Sequence, residues 1–330
     1  MAFRTSETTV GGRKVITLHD DAAGSSASIL PSFGFNLFDL RLPLAGKVRP
    51  VLVSAADFAE NPSNPARNGT PILFPYPNRV RGGKFAFGGK TYSLPVTLGP
   101  NAIHGFAMDT PWDVAEHGSN DREAFITGHW NLSMNAAASR EMWPTDATLT
   151  VRYALSGRKL TMTVTVSNPT DRPLPFGFGI HPYFRLPFEK GGDLAKTRVI
   201  LPCSEFWELE EFLPTGERKS VDARLDFRKG QAMTGLKLDD VLTGLTHVGG
   251  TATARLVDDN LNAEFRLTFD KNFRELVCYT PAGDGDVISL EPYTQTTDAI
   301  NLQPKGIDAG LRVLDHGARA VLTIGMETVG

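Results

Sequence analysis

KLTMTVTVSNP, residues 159–169, alternates without a break: Leu160, Met162, Val164 and Val166 fall on one side of an extended chain, and Thr161, Thr163, Thr165 and Ser167 on the other. Side chains of a strand point to opposite faces with a period of two, so this stretch predicts a strand with one face in a core and the other near water. Threonine and valine, both β-branched, suit that pleated, half-buried surface. The Ser-Asn-Pro ending stops the strand.

Working outward, the same signal recurs in KVITLHD (14–20), TLTVRYALSG (148–157), AEFRLTFD (263–270), ELVCYTP (275–281), VISLEPYT (287–294) and ARAVLTIGMETV (318–329), with turn residues close by. No long stretch between them carries apolar residues at helical spacing. Many strands, short turns and few helices predict an all-β sandwich or barrel rather than a parallel sheet wrapped by helices. KFAFGGKTYS predicts a hairpin turning at Gly88-Gly89. Residues 54–71 and the stretch from Phe188 to Lys196 are expected to be irregular, and residues 136–142 and 236–242 to form short helices or turns. With no Gly/Ser-rich linker, low-complexity tract or fixed-period repeat, residues 1–330 are expected to make one domain.

The 330 residues carry 34 Lys and Arg against 37 Asp and Glu, a net charge of -3, which offers no basic field for nucleic acid. Hydrophobic residues at 41% and charged residues at 22% describe a globular protein. No apolar run approaches the ~20 residues of a membrane span, and residues 1–20 lack the pattern of a secretory leader, so a cytoplasmic protein is expected. Cys203 and Cys278 have no redox or zinc spacing and read as small buried hydrophobes.

Three short segments set an ionisable residue among proline, glycine and aromatics: NAIHGF around His104, GFGIHPYF around His181, and SLEPYT around Glu291. His104 and His181 stand 77 positions apart with no cysteine nearby, which is not a metal motif, and no metal or other cofactor is expected. His181 precedes Pro182, which pushes it out of helical dihedrals and suits a strand end opening on a site. An imidazole there can donate a proton near neutral pH, or simply be a histidine satisfied by backbone. Glu291 follows the apolar run Val-Ile-Ser-Leu, so it is either a buried carboxylate raised toward neutrality, fit to be a general base, or a strand-end glutamate in water. Arg79, in a loop before the hairpin, can present several donors to a ligand's hydroxyls or form an ion pair. Asp239 and Asp240 can accept from hydroxyls or cap a turn.

Taken in order, Asn78-Arg79, Gly82-Gly83-x-Phe85, Gly89-Lys90-x-Tyr92-x-Leu94, Asn101-x-x-His104-Gly105, Gly179-x-His181-Pro182-Tyr183-Phe184 and Glu291-Pro292 resemble the landmarks of the aldose 1-epimerase (galactose mutarotase-like) family, from about Gly34 to the last strand. The resemblance implies a large antiparallel β-sandwich with a sugar pocket on one concave sheet face. It implies that Glu291 is the base taking the C1 hydroxyl proton, His181 the acid protonating the ring oxygen, and His104 a hydrogen-bonding partner near that oxygen. Asn78, Arg79 and Asp239 would hold the sugar, with the choice between Asp239 and Asp240 open. Glu291 and His181 should then face one another across a space the size of a hexose. The chain departs from galactose-acting members, which carry Gly-Arg-Tyr-Ala-Asn-Arg where it has Phe74 to Arg79, His-Gly-Gly where it has His104-Gly105-Phe106, and Asp-His where it has Asp239-Asp240. Those departures bear on which sugar is bound more than on the reaction.

The expected partner is a small sugar, with neither nucleic acid nor membrane, and nothing in the sequence sets an oligomeric state. A hexose-6-phosphate 1-epimerase is the alternative within the family and would need cations such as Arg67, Arg79, Arg81 and Lys84 around the phosphate. A non-catalytic sugar-binding module is the alternative outside enzymes, though a binder needs no matched acid and base. A glycoside hydrolase normally needs two flanking carboxylates, and Glu291 is the one that is well placed.

Overall fold

The computed structural model describes residues 2–283 and 285–330. The decisive stretch forms a strand, Lys159–Ser167, paired antiparallel on one side with Thr148–Ser156 and on the other with Arg319–Val329. Leu160, Met162, Val164 and Val166 are at most 2% exposed, while the threonine face is partly open, as the alternation predicts. The other six strand stretches read from the sequence also lie in strands, at Arg13–Asp20, Thr148–Ser156, Ala263–Asp270, Glu275–Tyr279, Val287–Tyr293 and Arg319–Val329. Lys84–Phe87 and Lys90–Ser93 form the expected hairpin, with Gly88 and Gly89 both at positive φ in the turn.

Two large antiparallel sheets carry the architecture. A nine-stranded sheet runs Asp113–Ser119, Ala124–Asn131, Thr148–Ser156, Lys159–Ser167, Arg319–Val329, Ala263–Asp270, Thr251–Asp258, Thr197–Ile200, Gln231–Ala232. The second runs Leu213–Ser220, Cys203–Glu210, Asp239–Leu245, Glu275–Tyr279, Val287–Tyr293, Gly179–Ile180, Ile72–Leu73, with Tyr183–Arg185 also paired to Val287–Tyr293. A five-stranded meander over residues 3–50 flanks them. Side chains from both large sheets, among them Val164, Leu322 and Ile324 from the first and Leu242, Leu276 and Leu290 from the second, interdigitate in one core. Each contributes about 1.5–3 kcal/mol by leaving water. Cys203 and Cys278 are buried free thiols in that core.

Helix is confined to short pieces, Leu132–Asn135 and Ala299–Leu302 and a few single turns, one of them Ala137–Met142. The 236–242 stretch differs from expectation. Leu236 to Leu238 is irregular and Asp239–Leu245 is a strand, because Val241 and Leu242 are buried on opposite faces of the second sheet.

What positions the site is the second sheet's other face. Along Val287–Tyr293, Ile288 and Leu290 enter the core while Ser289, Glu291 and Tyr293 point away from it; along Glu275–Tyr279, Leu276 and Cys278 enter the core while Glu275, Val277 and Tyr279 point away. Strand register lines these up in rows: Asp239, Tyr279, Ser289; then Val241, Val277, Glu291; then Glu275 beside Tyr293. This face is the floor of the cavity described next.

Candidate active site

A cavity of about 310 Å³ opens over that floor, and Arg79, His104, His181, Tyr183, Asp239 and Glu291 all line it. A larger cavity, about 860 Å³, lies against residues 50–56 and 185–194. Its charges are largely neutralised in pairs such as Arg41–Asp39 and Arg185–Asp286, and no histidine lines it, so the smaller cavity is the candidate site.

Glu291 is 1% and His181 6% exposed, and the Glu291 Oε1–His181 Nε2 distance is 3.1 Å. The two side chains expected to serve as acid and base therefore touch, where the sequence led to the expectation of a hexose-sized gap between them. Direct contact suits a substrate whose two reacting oxygens are bonded to one carbon: groups serving both must lie side by side. The Tyr293 hydroxyl donates to Glu291 Oε2. The Ser289 hydroxyl is 3.0 Å from His181 Nδ1 and 2.9 Å from the Pro182 carbonyl. Tyr183 stacks on the His181 ring, with centroids 4.9 Å apart.

Burial pushes the Glu291 carboxyl up to about 8; the Tyr293 and Ser289 hydroxyls and Arg79 pull the other way, and Asp239 adds to the rise. Burial pushes the His181 imidazole down to about 3, opposed by its own main-chain carbonyl and reinforced by Arg67. Both directions have one cause: neither buried group favours a charge unless the other carries the opposite one. Near neutral pH the pair therefore holds a single proton, which can sit on either partner along the Oε1–Nε2 line.

His104 has φ +66 and is 6% exposed. Its Nδ1 accepts the Asn78 main-chain N–H at 3.2 Å, so the neutral ring carries its proton on Nε2. Burial, then His181 and Arg79, hold this ring well below the usual imidazole range. The His104 and His181 rings meet edge to face at 5.4 Å. Asn78, at φ +59, returns its carbonyl to the His104 N–H at 3.0 Å, and its Oδ1 accepts from the Arg79 N–H at 2.8 Å and from Nη1 at 3.1 Å. The Arg79 guanidinium lies over the Phe212 ring at 4.9 Å, and among the described residues no carboxylate closes an ion pair with it. Asn78 thus ties His104 to Arg79.

Alternation separates the two aspartates. Asp239 stands on the cavity face beside Tyr279, and burial raises its carboxyl against the pull of Arg79. Asp240 is held by the Arg224 guanidinium at 2.7 and 2.9 Å. Of the four cations weighed for a phosphate, Arg67 and Arg79 line the cavity, Arg81 faces Asp298 at 3.7 Å, and Lys84 is exposed on the hairpin. Among the described residues, no three His, Cys, Asp or Glu side chains converge as metal ligands. Among the described residues, no helix is long and apolar enough to cross a membrane.

Asn78, Arg79, His104, His181, Asp239 and Glu291 all meet at this one cavity, and Asp240 does not. Ser289, Tyr293 and Tyr183 were not singled out, yet each touches Glu291 or His181 directly. The period of two would have found them: Ser289 and Tyr293 flank Glu291 at two residues on its own face, and Tyr183 lies two past His181.

The paired sheets place the chain among galactose mutarotase-like β-sandwiches. A galactose mutarotase-like protein from Clostridium acetobutylicum superposes with a TM-score of 0.89 at 23% identity, covering 100% of this chain and 99% of that one. Galactose 1-epimerase from Lactobacillus acidophilus superposes with a TM-score of 0.76 at 20% identity, covering 99% of each. The chain belongs to the aldose 1-epimerase family, whose model, Aldose 1-epimerase, matches residues 14–327. It is 25% identical over 233 residues to an aldose 1-epimerase of Escherichia coli K12, spanning 69% of this chain and 64% of that protein. It is 29% identical over 160 residues to the uncharacterized protein YphB of the same organism, spanning 48% of this chain and about half (49%) of that protein.

Proposed function

We propose that the chain, acting as one β-sandwich unit, is an aldose 1-epimerase that interconverts the α and β anomers of a free aldose by general acid–base ring opening and closure. The observation that carries this reading is the 3.1 Å contact between Glu291 Oε1 and His181 Nε2 on the floor of the cavity.

The C1 hydroxyl gives its proton to the Glu291 carboxylate while the C1–O5 bond breaks. The bonding pair leaves on the ring oxygen, which takes the proton from the His181 imidazolium, and C1=O1 forms. The open aldehyde turns about C1–C2 and closes on its other face by the same two transfers in reverse. Before the step the pair is carboxylate and imidazolium; after it, carboxylic acid and imidazole. Each form holds one proton, so the contact between the two groups also resets them without solvent. A positioned base and a positioned acid each contribute roughly 100-fold or more.

The His104 Nε2–H donates to the ring oxygen or a neighbouring hydroxyl, Arg79 presents a fixed fork to hydroxyls, and Asp239 accepts from them. With two of four candidate cations turned away from the cavity, a neutral sugar suits it better than a phosphorylated one. NMR exchange spectroscopy on a panel of neutral aldoses and glucose 6-phosphate tests this. Accelerated exchange with at least one neutral sugar is expected; a hundredfold preference for the phosphorylated sugar, or no acceleration with any, overturns it.

A further inference from the structure

Ser289 is fully buried and sits between two partners that the proposed reaction leaves unused. Its hydroxyl has one proton. The Pro182 carbonyl at 2.9 Å can only accept, so that hydrogen bond consumes the serine proton. The contact to His181 Nδ1 at 3.0 Å is then a hydrogen bond only if Nδ1 carries a proton and donates it. Were the serine to donate to Nδ1 instead, the Pro182 carbonyl would lose this partner. The Glu291 carboxyl, two residues along on the same face, also attracts the hydroxyl, but the acceptor within hydrogen-bond reach of it is the Pro182 carbonyl, and Glu291 Oε1 and Oε2 meet His181 and Tyr293.

We propose that Ser289 is a positioning residue that fixes His181 as its Nδ1–H tautomer, leaving Nε2 free to trade one proton with Glu291 Oε1. The relay Nδ1–H to Ser289 to the Pro182 carbonyl is the same whether the ring is neutral or cationic. The ring therefore passes between acid and base with one proton moving at Nε2 and nothing moving behind it. Tyr183 stacks on one face of the imidazole, Tyr279 and His104 approach it edge-on, and the Arg67 charge acts from the cavity rim. None of these reaches Nδ1 as a hydrogen-bond partner. Ser289 alone among the described side chains does so.

The consequence for rate rests on the anomerisation proposed above; the tautomer does not. Nitrogen-15 NMR of the histidine side chains, with His181 assigned by its loss in His181→Asn, reads the tautomer between about pH 5 and pH 8, where a free imidazole titrates. A protonated Nδ1 is expected throughout, with Nε2 bare whenever the ring is neutral. Ser289→Ala should shift the ring toward the Nε2–H tautomer and lower kcat about 10- to 100-fold, the usual cost of losing a partner that orients an active histidine, with KM little changed. Ser289→Thr, which keeps the hydroxyl, should restore both. A wild-type His181 with a bare Nδ1 overturns the proposal whether or not the variants fold, and so does a Ser289→Ala enzyme with unaltered tautomer and kcat. The expected tautomer in a protein that accelerates no anomer exchange would uphold the role of Ser289 and overturn the activity instead.

Discussion

Tyr293→Phe removes one hydroxyl from the buried floor and should move the alkaline limit of activity upward. The hydroxyl donates to Glu291 Oε2 and favours the ionised carboxylate, so it holds that carboxyl below where burial alone would put it. Even so the carboxyl lies at about 8. Above that pH the Glu291–His181 pair loses its single shared proton, and kcat/KM should fall about tenfold per pH unit, since it follows the free enzyme's ionisations. A hydrogen bond to a charged group is worth about 1.5–3 kcal/mol, and one pKa unit is about 1.4 kcal/mol, so its removal should raise the carboxyl by roughly one to two units. The substitution keeps the ring and its packing, which separates the electrostatic effect from cavity formation. Exchange spectroscopy across a pH series, with spontaneous exchange subtracted at each point, reads the limb directly. A limb that stays near the wild-type position, or moves to lower pH, would refute both the assignment of Glu291 and the reasoning about its partners.

Glu291→Gln should bind sugar, seen by titration, yet exchange anomers at least about 100-fold more slowly; exchange at the wild-type rate would eliminate Glu291 as the base. Glu275, fully buried with Trp207 donating to Oε2 at 3.1 Å and no partner for Oε1, is pushed by burial up to about 8 from an ordinary 4.5. Because the folded value is the higher one, its contribution is complete below the unfolded value and lost as pH rises through the folded one. Wild type should therefore lose on the order of 3 kcal/mol between about pH 6 and pH 9 from this group. Urea unfolding of Glu275→Gln should lack that share; parallel pH curves would count against it. Asp239→Asn should raise KM about tenfold, whereas Asp240→Asn should leave exchange unchanged and cost less than about 1 kcal/mol, the range for a partly exposed ion pair.

Alternation made the strands legible, because a period of two is a local property of the chain; whether Glu291 is buried stayed open, because what covers a strand end is not local. Which strands pair is not local. Nothing in GFGIHPYF says that His181 comes to rest on SLEPYT, since that meeting depends on Tyr183 pairing with Ser289 across more than a hundred residues. The same limit explains the expected gap between acid and base: separate motifs give identities but no distance. It also explains the open choice between Asp239 and Asp240, which the sheet face decides. Residues 236–238 carry Leu-Lys-Leu, a pattern that suits a short helix or turn as readily as a strand, and they form an irregular lead into the strand that starts at Asp239.

The second sheet supplies the floor; a different device supplies the wall. Asn78, His104 and Asp298 all have left-handed backbones, with φ +59, +66 and +59, a conformation costly for residues with a side chain and tolerated best by Asn, Asp and His. They are linked to one another through Arg79: Asn78 and His104 exchange main-chain and ring hydrogen bonds, Asn78 Oδ1 holds the Arg79 N–H and guanidinium, and the Asp298 N–H donates to the Arg79 carbonyl at 2.9 Å. Glycine would adopt each backbone more cheaply but would remove the ring, amide or carboxylate that makes the links. The Asp298 carboxylate, 2% exposed, accepts from the Arg81 N–H at 3.0 Å and Asn301 Nδ2 at 2.8 Å, so it clamps the segment just past Arg79 as well. Strain concentrated on three hydrogen-bonding residues around one guanidinium is what a site needs when its cation must stay free of carboxylates. An ion pair would have fixed Arg79 at less cost, and would also have occupied the donors that face the cavity.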